Sequence, residues 1–510
     1  MVAAIATTVN PMRTMSVIMG IPSLRLVLPV SSNPMVESDT NLQGAGLLVE
    51  VDRTSGTPAH VQLEGALRDA IRSGRLLGDS VLPATRRLAD QLGLSRGVVV
   101  EAYQQLTSEG YLIAQTGGYT RVAKGLATVP TPARVAPPAE EKRRPDGRPA
   151  VDFRYGRPDV SQFPRAAWLR TLRTVLTDAP NDRLSYLDGR GAPELRAALA
   201  EYLNRVRGTW AHPDNIVACS GFAQATSLLF PVLAARGVKL LAVEDPGDPD
   251  ARATARRAGL EVVGIPVTDA GIDVEALTAS GAKAVLVTPA HQFPTGSVMS
   301  PERRAALLDW ARDHDGLIIE DDYDAEHRYD NSPVGALHGL APDRVVSAGT
   351  ASKTLAPGLR LGWMIAPGEL AEQLAQRKFD ADRGSPVIEQ LAFAEFLTRG
   401  EFDRHLRKMR PLYRRRRDVM LNALHTQLPE LDPIGISAGL HVFCWLPPGI
   451  PEADVVSQAA SAGLIVYGAS QYSVRGDGPG GLVIGYGTVD AEAIVDGVGM
   501  LREAIEAARL

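Results

Sequence analysis

Lys353 stands between two hydroxyl residues, Ser352 and Thr354, after a β-branched pair (Val345, Val346) and before a Pro357-Gly358 turn, and Arg360 follows seven positions later. A lysine in a small-residue loop after an apolar strand has the setting of a Schiff-base lysine, whose free amine attacks a carbonyl. If the carbonyl compound also carries a phosphate, the neighbouring hydroxyls, backbone N–H groups and the arginine are what would hold it. Of the seven lysines (Lys124, Lys142, Lys239, Lys283, Lys353, Lys378, Lys408) only Lys353 sits in such a loop. The others fall at a hairpin end, in a charged linker, at strand entrances, or, for Lys378 and Lys408, on arginine-flanked helix surfaces. Taken alone, a Ser-Lys-Thr triplet is more often an ordinary surface turn.

Two further clusters change that weighting. The run E-D-D-Y-D-A-E-H-R-Y sets Asp321 and Tyr323 together at the exit of an apolar stretch. An aspartate there can keep a pyridine nitrogen protonated, and a tyrosine two residues on can hydrogen-bond a phenolic oxygen. By itself the same loop serves equally well as a metal-binding or merely solvated acidic turn. In S-G-F-A-Q, Ser220 and Gly221 open a helix whose unpaired N–H groups suit a phosphate. With Lys353 downstream, the three clusters point to pyridoxal 5'-phosphate, and no metal-ligand pattern accompanies them.

The elements that must position these groups alternate between strand-like and helix-like. Seven short apolar runs, 216–219, 240–244, 262–267, 284–288, 317–320, 345–348 and 361–366, read as strands buried on both faces of a mainly parallel sheet, with helices such as 192–207 and 301–314 between them. In such sheets ligands gather beyond the carboxyl ends of the strands, where all three clusters lie. Residues 386–510 read as a smaller α/β lobe. Its strongly basic helix over 406–420 reads first as a solvated face.

Residues 57–125 follow a different pattern. Val61, Leu63, Leu67, Ile71 and Leu76 mark a helix that stops at Ser73-Gly74; a second starts after Pro83 and ends at Gly93; a third is capped by Ser95 and buries Val98, Ala102 and Leu106. Two short helices across a tight glycine turn form a helix-turn-helix, whose second helix offers its first residues to the major groove. Two short strands around Gly117-Gly118 then form a wing. Eight basic residues barely exceed six acidic ones over 59–124, but Arg86, Arg87 and Arg96 cluster at the helix starts, which matters more for phosphate contacts than the sum. A three-helix protein-interaction module is the bland alternative.

Bulk properties set the frame. The 510 residues, 45% hydrophobic and 22% charged with a net charge of −5, describe an ordinary globular chain in which DNA contact must be local. Cys219 and Cys444 lie in apolar runs and read as buried thiols of a reducing compartment, consistent with a cytoplasmic protein. Residues 1–56 are expected to be a disordered leader, with Met35 as an alternative start, since prolines and Arg25 interrupt a stretch too short to span a bilayer; a signal peptide, with Arg13 ahead of a hydrophobic patch, is the alternative. The Pro-, Ala- and charge-rich 126–150 segment is expected to be a tether.

Residues 57–125 resemble the GntR-type winged helix in L-P-A-T-R-R-L-A, L-G-L-S-R, V-E-A-Y-Q-Q-L and E-G-Y-L. Residues 151–510 resemble the fold-type-I aminotransferase domain of MocR-type regulators in D-F-R-Y-G-R-P-D, S-Y-L-D-G-R-G, V-E-D-P-G, T-P-A-H-Q-F-P-T-G and G-T-A-S-K-T-L-A-P-G-L-R-L-G-W. The resemblance implies DNA contacts from Arg86, Ser95, Arg96 and the wing glycines Gly117 and Gly118. It implies that Lys353 forms the aldimine, Asp321 pairs with the ring nitrogen and Tyr323 meets the ring oxygen. Thr350, Ser352, Arg360 and the backbone of Gly221 and Phe222 would hold the phosphate, with His291 and Gln292 near the ring. Three positions depart from the pattern: Gly97 where a polar residue is common, Asp248 where an aromatic stacks on the ring, and Val483 where an arginine receives an effector carboxylate. Phe222 and Arg475 are the available substitutes.

The expected function is a pyridoxal-phosphate-dependent regulator of transcription. It would bind double-stranded operator DNA as a head-to-tail homodimer and sense an amino acid, an amine or a B6 vitamer at Lys353. A working aminotransferase with a vestigial DNA-binding module is the alternative; a DNA-binding scaffold that has lost the cofactor is a third reading, favoured only by Asp248. No membrane association is expected.

Overall fold

The computed structural model describes residues 23–28, 47–114, 119–125, 150–324, 326–329, 334–435, 437–476 and 478–509, and the chain divides into two compact units, Met1–Ala139 and Glu140–Leu510. The linker over 126–149 and the wing glycines Gly117 and Gly118 lie outside the described residues.

In the first unit three helices, Ala59–Arg72, Thr85–Leu92 and Arg96–Ser108, pack around Leu63, Leu67, Leu88, Val99 and Leu106, and strands Leu112–Ala114 and Thr120–Val122 pair antiparallel beside them. Gly93 ends the second helix in the left-handed region at φ 61°, a conformation glycine adopts without a Cβ penalty. Ser95 caps the third helix by accepting from the Val98 N–H at 3.4 Å. Two expected core positions move: Val61 is 42% exposed and Val98 half-buried, while Val99 and Tyr103 take the interior. Tyr103 can be buried because its hydroxyl donates to the Pro83 carbonyl at 2.9 Å.

The expected disordered leader needs correction within its length. Ser23–Leu28 pairs antiparallel with Leu47–Asp52, Val51 joins the helical core, and Asp52 is tied to Gln62 through both its N–H and its carbonyl. The run L-L-V-E-V-D carries a strand pattern that extends the folded unit upstream of residue 57.

The second unit is built on an eight-stranded sheet in the order Ile216–Cys219, Gly362–Ile365, Val345–Thr350, Leu317–Asp322, Ala284–Val287, Leu240–Asp245, Glu261–Thr268, Gly271–Ile272. It is mainly parallel. Only Gly362–Ile365 and the short Gly271–Ile272 run antiparallel to their neighbours, so the seven expected strands are all present and one two-residue strand is added. Alternate residues face opposite layers: Ile216, Ala218 and Ile365 pack into one apolar cluster, and Val217, Cys219 and Met364 into another. Each fully buried aliphatic side chain contributes about 1.5–3 kcal/mol, so this double burial fixes the register of the strand ends.

The smaller lobe carries a four-stranded antiparallel sheet, Pro433–Ile434, His441–Trp445, Gly481–Gly485 and Tyr467–Gly468. It also recruits Val151–Asp152, which pairs parallel with Leu464–Ile465, so the lobe is not confined to residues 386–510. The basic helix, Glu401–Gln427, is more than a solvated face. Arg410 donates to the Glu326 carbonyl at 2.9 Å, Arg414 to the Tyr329 carbonyl at 3.1 Å, and Arg416 pairs with Asp159 at 2.7 Å. Lys378, expected on a surface, is fully buried. It forms a forked pair with Asp382 at 2.6 and 2.9 Å on the same helix, which satisfies the charge that burial strips of water.

Candidate functional site

The carboxyl ends of the strands open onto a cavity of about 330 Å³, into which Lys353, Asp321, Tyr323, Thr350, Ser352, Arg360, Gly221 and Phe222 all project. Lys353 follows the buried strand Val345–Thr350, and its Nζ donates to the Gly156 carbonyl at 2.7 Å. The loop that carries it is held by two imidazoles: His327 bonds the Lys353 carbonyl and His405 the Thr354 carbonyl, each at 3.0 Å. Burial lowers the Lys353 amine below the usual lysine range, with Asp321, Asp324 and Asp248 opposing the shift. A disfavoured ammonium is what a nucleophilic lysine requires.

Asp321 is held on the strand Leu317–Asp322, and its Oδ1 is buried with no hydrogen-bond partner. Burial raises its carboxyl well above the ordinary range, reinforced by Asp248, Asp322 and Asp324. Such an orphaned oxygen in a cavity wall is satisfied by a protonated heterocyclic nitrogen. The Tyr323 hydroxyl lies 2.9 Å from Nδ1 of His291, which is 2.8 Å from Asp324. Burial, with Asp324 and Asp321 behind it, keeps the Tyr323 phenol protonated and able to donate.

On the opposite wall Gly221, at φ 97°, begins the helix Phe222–Ala235. Thr350 and Ser352 place their hydroxyls 2.9 Å apart, and Arg360 crosses to the Ser220 carbonyl. A Cβ at position 221 would come within 3.4 Å of the Arg360 guanidinium and 3.7 Å of the Thr350 hydroxyl, so the glycine keeps this cradle open. A helix N-terminus, two hydroxyls and an arginine converging on one point form an anion site. The described residues therefore fit pyridoxal phosphate at three separate points: an amine for the aldehyde, a carboxyl for the ring nitrogen and a cradle for the phosphate. Among the described residues no cluster of His, Cys, Asp and Glu could hold a metal.

His291 and Gln292 do not line this cavity. His291 supports Tyr323 from behind, and Gln292 bonds the carbonyls of Pro246 and Phe293 at 2.9 and 2.6 Å. Both lie directly behind the cavity wall, held by buried hydrogen bonds. The cavity also has walls that local sequence reading missed. Tyr155, Gly156, Phe293 and His441 line it, with Tyr155 and Phe293 rings 5.2 Å apart. His441 donates from Nε2 to the Pro294 carbonyl at 3.0 Å, and burial lowers its pKa to about 4, so it is neutral. The motif D-F-R-Y-G-R-P-D held a signal for Tyr155 and Gly156; nothing local marks His441. Asp248 lines the cavity too and caps the helix Pro249–Arg257 by accepting from the Asp250 N–H at 2.9 Å. Val483 is fully buried among Phe443, Ala469 and Tyr472, and Arg475 pairs with Asp245 at 3.1 Å.

In the first unit Arg86 and Arg87 at the start of one helix, and Ser95 and Arg96 at the start of the next, are all exposed. The Ser95 oxygen accepts from its own helix, which leaves its O–H free to donate. At Gly97 a Cβ would meet nothing closer than 3.8 Å, so the missing side chain leaves open space.

Residues 151–468 match the family described as aminotransferase class I and II, and residues 60–122 match the gntR family of bacterial regulatory proteins. The probable rhizopine catabolism regulatory protein MocR of Rhizobium meliloti is 31% identical over 90% of this chain and 96% of its own. The HTH-type pyridoxine biosynthesis transcriptional regulator PdxR of Corynebacterium glutamicum is 32% identical over 88% of this chain and 96% of its own. Among solved structures, an archaeal alanine:glyoxylate aminotransferase superposes with a TM-score of 0.66 at 30% identity, covering 71% of this chain and 92% of that one. No helix among the described residues is long and apolar enough to cross a membrane.

Proposed function

This chain belongs to the MocR-type transcriptional regulators, in which a gntR-family DNA-binding module precedes an aminotransferase class I and II domain, and we propose that it couples a pyridoxal-phosphate site at Lys353 to operator binding. The winged helix binds DNA. Relatives matching both modules are regulators, which favours this reading over a working aminotransferase with a vestigial module.

The observation that carries the proposal is the convergence on one cavity of the Lys353 amine, the unpartnered Asp321 oxygen and the Gly221–Thr350–Ser352–Arg360 cradle. When bound, pyridoxal phosphate supplies an aldehyde at which the Lys353 amine is exchanged for that of a small molecule. The chain's residues do the rest. Asp321 holds the ring nitrogen protonated, Tyr323 donates to the ring oxygen, Arg360 and the hydroxyls anchor the phosphate, and Tyr155, Phe222 and Phe293 exclude water. Lys353, when released, has its amine free to donate to the Gly156 carbonyl, so the amine has two alternative partners between which an effector can shift it. Arg86, Ser95 and Arg96 contact the operator, with the wing glycines Gly117 and Gly118 against the backbone. The protein acts in the cytoplasm as a head-to-tail homodimer that reads two half-sites. The linking experiment is an absorbance titration of the purified protein with pyridoxal phosphate and then amines, run beside an operator gel shift. The result expected is a Lys353-dependent band whose change alters the shift; a band that changes with no effect on DNA binding contradicts the coupling.

A further inference from the structure

Two cations line the cavity, Lys353 and Arg360, against four carboxyl groups, Glu244, Asp248, Asp250 and Asp321. On the reading given under Proposed function, which this inference rests on, the cofactor engages Lys353, Arg360 and Asp321. Three charged groups remain to meet a second molecule, and all are acidic. Glu244 is 5% exposed: its Oε2 accepts from the Thr288 hydroxyl at 2.6 Å and N–H at 3.1 Å, while its Oε1 is buried without a partner. An orphaned carboxylate oxygen on a cavity wall is a costly group that a cation relieves. Asp248 uses one oxygen as a helix cap and Asp250 is exposed at the rim.

No other cation lines the cavity among the described residues. Val483 is sealed in an apolar cluster, Arg475 is paired with Asp245, and Arg252 donates to the carbonyls of Tyr472 and Gln471 at 2.8 and 2.9 Å. The wall also carries the aromatic rings of Tyr155, Phe222 and Phe293, which suit methylene groups and ammonium ions. A carboxylate entering here meets like charges on the wall; Arg157, whose charge bears on Lys353, is outside the lining and lies 3.9 Å from Asp152, so an ammonium meets the more favourable surroundings.

We propose that the effector is a primary amine with a second cationic group and no carboxylate, a diamine or polyamine, whose distal ammonium is held by Asp248, Asp250 and Glu244. The test titrates the pyridoxal-phosphate-loaded protein with putrescine, n-butylamine and γ-aminobutyrate, amines of one chain length ending in ammonium, methyl and carboxylate, and reads the visible absorbance. Putrescine is expected to act at a midpoint about tenfold below either of the others, equivalent to about 1.4 kcal/mol. In the triple variant Glu244→Gln, Asp248→Asn, Asp250→Asn that advantage is expected to vanish; glutamine keeps an acceptor for Thr288, and asparagine caps the helix as well as aspartate does. A γ-aminobutyrate midpoint equal to or below that of putrescine overturns the proposal, as does a putrescine preference that survives in the triple variant. If the wild-type protein shows a band that Lys353→Ala abolishes but no amine alters it, the effector class is wrong and the cofactor site stands. If the wild-type protein takes up no pyridoxal phosphate, the underlying reading fails and this one with it.

Discussion

The Nζ of Lys353 lies 2.7 Å from the carbonyl oxygen of Gly156, and a Cβ added to Gly156 would come within 2.9 Å of that nitrogen. Position 156 adopts φ 67°, so an L-side chain there is strained as well as crowded. Gly156→Ala is expected to displace the amine and raise the apparent Kd for pyridoxal phosphate about tenfold, with a backbone cost of about 1–2 kcal/mol. An absorbance titration checks it; unchanged uptake would show that the contact does not position Lys353.

Glu244 gives a pH dependence with a definite sign. Burial pushes its carboxyl up to about 7. Between the unfolded value and that one the folded state holds the proton that the unfolded state has lost, so stability falls as pH rises through this window. Glu244→Gln keeps an acceptor for Thr288 and removes the ionisation. Urea unfolding of the cofactor-free protein should find the variant more stable by about 2–3 kcal/mol at pH 8 and little different at pH 4. A wild-type advantage that grows with pH would reverse the assignment.

The Lys378–Asp382 pair sits beside the phosphate cradle, because Gln224 bridges Asp382 at 2.8 Å to the Ser220 N–H at 2.8 Å. Asp382→Ala strands a buried ammonium and is expected to cost about 3 kcal/mol, the low end for a broken buried pair because Asp382 is 33% exposed. Lys378→Met removes the charge and should cost less. Thermal denaturation of both variants decides the order.

Much of the site was legible because its parts are short-range patterns. A lysine in a small-residue loop, an aspartate at a strand exit and a glycine opening a helix each declare their chemistry within a few residues, and double burial makes the strands continuous apolar runs. What escaped comes from distant segments. Gly156 precedes Lys353 by 197 positions and His441 belongs to the other lobe's sheet, so no local spacing ties them to the cavity. Lys378 was misread because its partner, Asp382, lies one helical turn on, a spacing common to exposed pairs as well. The 47–52 strand carries a β-branched pattern, but it follows a polar, proline-containing stretch that gives no sign of a folded unit.

Arg96 stands at the first turn of the recognition helix, exposed. Arg96→Ala is expected to weaken specific operator binding by about 1–3 kcal/mol, the cost of a lost base contact. A gel shift at fixed salt with operator and scrambled duplex separates that from a lost phosphate contact, which would weaken both equally.

The most direct test of the central claim is Lys353→Ala. Purified wild-type protein with pyridoxal phosphate should show a visible absorbance band that the variant lacks, while both retain basal operator binding in the same preparation. A band of undiminished intensity in the variant would contradict covalent attachment at Lys353, and loss of DNA binding together with the band would contradict separable sensing and reading.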